Sequence, residues 1–151
     1  MLGYLLFALV WLVLDQAVKF LVRAFLPLHT SIAFLPGFDL TYLRNTGAAF
    51  SILRSQTWLL TALSGAATVV LLVLLLRRTL PTRLGMLSLA LLLAGAAGNF
   101  IDRLAFGFVT DMFQTTFMDF PVFNVADIGV VIGAVLLVLT VLLARDREEG
   151  A

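Results

Sequence analysis

A chain of 151 residues that is 62% hydrophobic and 13% charged, with mean hydropathy +1.08, carries more apolar surface than a soluble domain of that length can hide. The bilayer is therefore its expected solvent. A net charge of +1 gives no footing for nucleic acid, and the lack of cysteine removes disulfides, thiol catalysis and thiolate-held metal.

About four spans of roughly 20 residues fit this length. The first is predicted over residues 2–22 and is interrupted only by Asp15, Gln16 and Lys19. The start, Met1-Leu2-Gly3-Tyr4, shows neither a basic n-region nor a small-residue cleavage site, so a retained helix is expected. Asp15 and Lys19 are four apart and share a helix face. The expectation is an intrahelical ion pair with Lys19 snorkelling toward the interface. The alternative is that the pair anchors an outer loop or touches substrate.

Residues 25–56 differ in character, with Pro27, Pro36, Gly37 and Gly47. The alternation in Phe38-Asp39-Leu40-Thr41-Tyr42-Leu43 predicts a strand, within a small sheet resting on the membrane surface. His29, the only histidine, is expected to be solvated; with no second histidine and no cysteine, no zinc site is expected. Residues 57–76 form a charge-free second span, and residues 84–101 a third. Residues 104–121 are irregular, with a strand-like stretch over 106–113, and residues 123–144 make the fourth span. The fold class expected is a mainly α integral membrane protein of four transmembrane helices with a small β-containing outer element. No internal repeat or low-complexity linker divides the chain, so one membrane-embedded domain over residues 1–151 is the simplest organisation.

Orientation follows from the short basic connections. Arg77, Arg78 and Arg83 lie between spans two and three, and Arg145 and Arg147 begin the tail. Both are expected in the cytoplasm, with both termini inside. The longer loops then face outward, where Arg23, Arg44, Arg54 and Arg103 are interleaved with Asp39, Asp102, Asp111 and Asp119.

That topology puts Asp111 and Asp127 on the outer side, sixteen residues apart. Carboxylates at a bilayer boundary are costly to desolvate and are functional candidates for that reason. Two that meet can share one proton and activate a water. The plainer reading of Asp127 is a first-turn acid favoured by the helix dipole, which leaves Asp111 unexplained. Asn124, at i−3 from Asp127, caps the helix or orients that carboxylate. Asn99, Asp102 and Arg103 share one face at the end of span three, either as a structural cap or with Asn99 or Arg103 aimed at a site. Asp102 reads as structural. Asn45 offers a donor and an acceptor suited to a peptide backbone, and Gly47 permits a tight turn. Ser51, Ser64 and Ser88 have no basic partner for serine catalysis.

In order along the chain, Asp15-Gln16-x-x-Lys19, Arg44-Asn45-Thr46-Gly47-Ala48-Ala49-Phe50-Ser51, Gly98-Asn99-x-x-Asp102-Arg103, Val109-Thr110-Asp111-Met112-Phe113 and Phe123-Asn124-Val125-Ala126-Asp127 resemble lipoprotein signal peptidase, or signal peptidase II. The family more often has Val-Asp-Phe at Thr110-Asp111-Met112 and Ser at Ile128. The resemblance implies a membrane aspartic endopeptidase of the bacterial cytoplasmic membrane. It would cut the signal peptide from diacylglyceryl-modified prolipoproteins just before the lipidated cysteine. Asp111 and Asp127 correspond to the family's dyad, and Asn45, Asn99, Arg103 and Asn124 to positions that shape or line the site. Asp15, Lys19, Gly47 and Asp102 correspond to supporting positions. No metal or cofactor is expected. The expected partners are lipid-modified precursors and membrane lipids, with the chain acting as a monomer. Two other classes stay open. A proton-conducting transporter would use Asp15, Lys19, Asp102 and Asp127 as a relay. A non-catalytic assembly factor would tolerate loss of Asp111.

Overall fold

A computed structural model describes residues 1–47 and 56–149. Helix α1 spans Leu2–Phe25, and a hairpin of β1 (Ser31–Leu35) and β2 (Phe38–Asn45) follows. Then come α2 (Thr57–Leu76), α3 (Arg83–Phe106), β3 (Val109–Thr115) and α4 (Val125–Glu149). All four helices are long and apolar enough to cross a membrane, the fourth over Val125–Ala144. Ala48, Ala49, Phe50 and Ser51 of the second motif, together with Arg54, lie outside the described residues.

The second span starts and ends as the uncharged run dictates. The third runs past its expected end at Ile101 to Phe106. Asp102 and Arg103 suggest a solvent boundary by composition, but Asp102 is fully buried, so the charge does not end the helix. Gly107 ends it, at φ 75°, with its N–H donating to the Arg103 carbonyl. At the other end, Thr82 caps α3 by accepting the Gly85 N–H at 3.0 Å. The first span likewise continues through Arg23 to Phe25. The fourth starts at Val125 rather than 123, because Phe123 pairs with Phe113 in an isolated bridge and Asn124 caps the helix from outside.

Helix α3 is the axis, packed against each of the other three. Its small residues permit this. A Cβ at Gly95 would stand 2.5 Å from the Ala126 carbonyl oxygen and 2.6 Å from Val130 Cγ2 of α4. At Gly98 it would stand 2.5 Å from Asp15 Oδ2. An apolar core of Ala8, Leu75, Met86, Leu89, Ala90 and Leu93 fills the end of the bundle where α3 begins. The outward faces of α2 and α4 stay apolar, as at Val69, Val70, Val135 and Val138, which suits contact with lipid.

The three strands form one antiparallel sheet in the order β1-β2-β3. The strand predicted over 38–43 is β2, two residues longer. The strand-like stretch over 106–113 is displaced: Phe106 closes α3, and β3 starts at Val109 beyond the positive-φ glycine. Leu43 pairs with Asp111 and Asn45 with Val109, which sets Asn45 beside the Asp111 carboxyl. Val22, Tyr42 and Met112 bury the sheet against the end of α1.

Candidate active site

The sheet, the end of α3 and the start of α4 enclose a cavity of about 1000 Å³. Asn45, Asn99, Arg103, Asp111 and Asp127 all line it. Asp119, an ordinary loop acid by sequence, lines it as well. The wall toward α4 is apolar, with Val130, Val131 and Ile132.

Asp111 projects from β3 and is 1% exposed. Its Oδ1 accepts from Asn124 Nδ2 at 2.6 Å, and its Oδ2 from Asn45 Nδ2 at 2.9 Å. Burial, and next the charge of Asp127, push its carboxyl from 3.8 up to about 7; the two amides and Lys19 pull the other way. A carboxyl so placed can hold a proton at neutral pH.

Asp127 lies in the first turn of α4, half-buried. Asn99 Nδ2 donates to its Oδ1 at 2.8 Å, and the Asn124 backbone N–H to its Oδ2 at 3.2 Å. In return Asn124 Oδ1 accepts the Asp127 N–H at 2.9 Å. The two residues form a reciprocal cap that locks the helix start. Asn124 also spends its amide N–H on Asp111, so one residue ties both carboxylates, Asp111 by its side chain and Asp127 by its backbone N–H. Arg103 Nη2 donates to the Gly47 carbonyl at 3.3 Å, joining α3 to the end of β2, and Gly47 N–H donates to Asn45 Oδ1 at 3.0 Å.

Beneath the cavity lies a buried ionic cluster. Lys19 Nζ is 2.9 Å from Asp15 Oδ2 and 3.7 Å from Asp102 Oδ2, and all three side chains are fully buried. The expectation that Lys19 snorkels outward is wrong. Its ammonium turns inward, because Asp15 Oδ2 (2.9 Å) and Asn99 Oδ1 (3.0 Å) accept its N–H groups and the Asp102 carboxylate, 3.7 Å away, adds a second opposite charge. Arg23 completes the cluster, 3.4 Å from Asp102 and 2.9 Å from the Thr110 hydroxyl, which accepts its N–H. Two carboxylates then balance two cations, as burial in an apolar bundle demands. Among the described residues no buried side-chain polar atom lacks a partner.

The cluster also holds backbone. Asp15 Oδ1 accepts the Ala126 N–H and Asp102 Oδ2 accepts the Thr110 N–H, each at 2.8 Å. Each of those N–H groups belongs to the residue just before Asp127 or Asp111. Sequence reasoning passed over Arg23, Thr110 and Trp11, whose indole N–H donates to the Val125 carbonyl at 3.1 Å. A signal for Arg23 existed: Asp15, Lys19 and Arg23 recur every four residues and form one stripe of α1.

The family model for signal peptidase (SPase) II matches residues 7–143. A lipoprotein signal peptidase of Enterococcus faecalis is 40% identical over 139 residues, covering 91% of this chain and 86% of that one. Its counterpart in Streptococcus thermophilus is 44% identical over 127 residues, 83% of each chain. That of Brevibacillus brevis is 39% identical, covering 97% of this chain and 99% of that one. A solved bacterial membrane enzyme superposes with a TM-score of 0.90 at 29% identity, over 97% of this chain and 92% of its own. A second gives 0.84 at 30% identity, over 94% of each. With a family match across nearly its whole length, the chain belongs to the signal peptidase II family.

Proposed function

We propose that Asp111 and Asp127 are the catalytic pair with which this membrane peptidase removes signal peptides from prolipoproteins, cutting just before a cysteine that carries a diacylglyceryl group. The observation that carries the assignment is the cavity shared by two carboxylates, each held by amide donors from neighbouring elements. Asp111, deeply buried, holds the shared proton; Asp127, half-buried at the cavity, is the base. Asp127 takes a proton from a water, the water attacks the scissile carbonyl, and Asp111 donates to the carbonyl oxygen. Collapse of the tetrahedral intermediate breaks the C–N bond, the proton that Asp127 took from water passes to the leaving amine, and a hydroxyl proton of the intermediate returns to Asp111 as the carbonyl re-forms. Asn45 and Arg103 line the cavity where an extended peptide would lie, so their donors suit its carbonyls.

The apolar wall along α4 suits the lipid chains of the modified cysteine, which stay in the bilayer while the peptide bond meets water. The site faces the outer side, and both termini are cytoplasmic, because Arg77, Arg78 and Arg83 lie at the end of α3 opposite the sheet. The hairpin of β1 and β2 rests over the bound peptide, the chain works as one copy, and residues 1–151 act as one unit. Crosslinks from a bound substrate that missed both Asn45 and Asp127 would remove the covering role of the hairpin.

The test is cleavage of a diacylglyceryl-modified prolipoprotein by purified protein in detergent. Asp111→Asn and Asp127→Asn, each folded, should lose about 10³-fold or more in kcat, the scale of a lost general acid or base. Substantial activity in either variant would overturn the two-aspartate mechanism.

A further inference from the structure

Lys19 takes no part in the proton transfers and does not line the cavity, yet one amide alone separates it from Asp127. An ammonium only donates. With Lys19 Nζ 3.0 Å from Asn99 Oδ1, the oxygen end of that amide must face α1. Its N–H₂ end is then turned to Asp127 Oδ1, where it donates at 2.8 Å. The flipped amide would set N–H₂ against ammonium and oxygen against carboxylate, two repulsions in a low-dielectric site. Asn124 Nδ2, 3.3 Å from the same oxygen, favours the same orientation. Holding the helices together does not by itself call for a charge, since buried ion clusters are often replaceable by apolar side chains of like volume.

We propose that Lys19 is a positioning residue for the peptide cleavage: its ammonium fixes the amide of Asn99 and, through it, the carboxylate of Asp127. The proposal rests on the assignment of Asp111 and Asp127 as the catalytic pair. Without Lys19 only the Asn124 N–H remains on the Asn99 oxygen, so the amide is held less tightly and Asp127 loses the fixed donor that aims it at the attacking water. Substrate still binds, because Lys19 is fully buried beneath the cavity floor.

The test uses the purified full chain and the lipid-modified precursor. Lys19→Met alone would strand Asp15 as an unpaired buried charge. Asp15→Asn with Lys19→Met removes both charges together, and the new amide oxygen can still accept the Ala126 N–H. This neutral pair should melt within a few degrees of wild type yet lose about 10- to 100-fold in kcat, the scale of a small misplacement of a reacting group. KM should stay within about twofold, as expected for a group remote from the substrate. In an Asn99→Ala background the same pair should cost nothing further, because the amide it acts through is gone. A kcat within about twofold of wild type, or an equal loss with and without Asn99, overturns the proposal. Where the neutral pair does not fold, Asn99→Asp decides. It keeps an oxygen for Lys19 and exchanges the N–H₂ toward Asp127 for a second, charged oxygen. Activity at or below that of Asn99→Ala supports the proposal, and activity above it overturns it. Inactive Asp111→Asn and Asp127→Asn beside a fully active neutral pair would remove the role of Lys19 alone. Active aspartate variants would remove the catalytic assignment itself.

Discussion

Asp111 is where one side chain ties stability to the proposed chemistry. Its carboxyl is raised from 3.8 to about 7, chiefly by burial, then by the Asp127 charge. Between those values the folded chain keeps a proton that the unfolded chain releases, so rising pH favours unfolding. The contribution is complete below pH 3.8 and is lost as pH climbs through about 7. Thermal unfolding in detergent should therefore show wild type losing more stability from pH 5 to 8 than Asp111→Asn, which cannot titrate there. An equal loss in both would mean that Asp111 is not the group responsible. Cleavage should fall over the same window, since Asp111 must be protonated to donate to the carbonyl. Thr110, one residue earlier, shows what the departure from the family's usual valine provides. Its buried hydroxyl accepts from Arg23 at 2.9 Å, a bond valine could not make. Thr110→Val should lower stability by about 1 kcal/mol in a denaturant or thermal titration, the usual net worth of such a bond, with Asp102 and the Phe106 ring retaining the guanidinium.

Helices α3 and α4 set the distance between Asn99 and Asp127, and Gly95 sets the distance between the helices. An alanine methyl there would meet the Ala126 carbonyl oxygen, which belongs to backbone and cannot turn aside. Gly95→Ala should cost about 1–3 kcal/mol, as overpacking does, and should lower kcat more than it raises KM, since it displaces Asp127 relative to Asn99. A variant as active and stable as wild type would mean that the helices part there without effect. Much at this scale was legible in the sequence. Apolar runs bounded by arginines gave the second helix its ends, and alternation gave β2. The ends of α1 and α3 were not legible, because Arg23, Asp102 and Arg103 read as solvent markers when taken singly. The pairing of Arg23 with Asp102, and the donation of Arg103 to the Asn99 and Gly47 carbonyls, let the helices continue through them. The inward course of Lys19 was hidden for the same reason: its acceptors Asn99 and Asp102 are about 80 residues away in sequence. Asp111 and Asp127 of the cavity were both legible, since carboxylates in an apolar setting stand out one by one. The clamps on Thr110 and Ala126 were not, because a bond to a backbone N–H leaves no mark in composition.

Across the whole molecule, polar and apolar interiors are segregated by depth. The ionic cluster, the Asp111 and Asp127 carboxylates and the sheet gather where α3 ends, and the apolar core fills the end where it begins. That polarity fits an enzyme that must meet water at one membrane face only. It also makes the orientation open to a direct test, because the chain has no cysteine to remove first. Two single-cysteine variants suffice, His29→Cys in the turn before β1 and Thr79→Cys between α2 and α3, both at exposed positions. The proposed orientation puts Thr79, beside Arg77 and Arg78, in the cytoplasm and His29 outside. A membrane-impermeant maleimide applied to intact bacterial spheroplasts should label the first and spare the second until the cells are lysed. Reversed labelling would put the catalytic cavity on the cytoplasmic side, where a precursor's cleavage site does not emerge. The outer-face assignment would then fall, while the geometry of the two aspartates would stand unchanged.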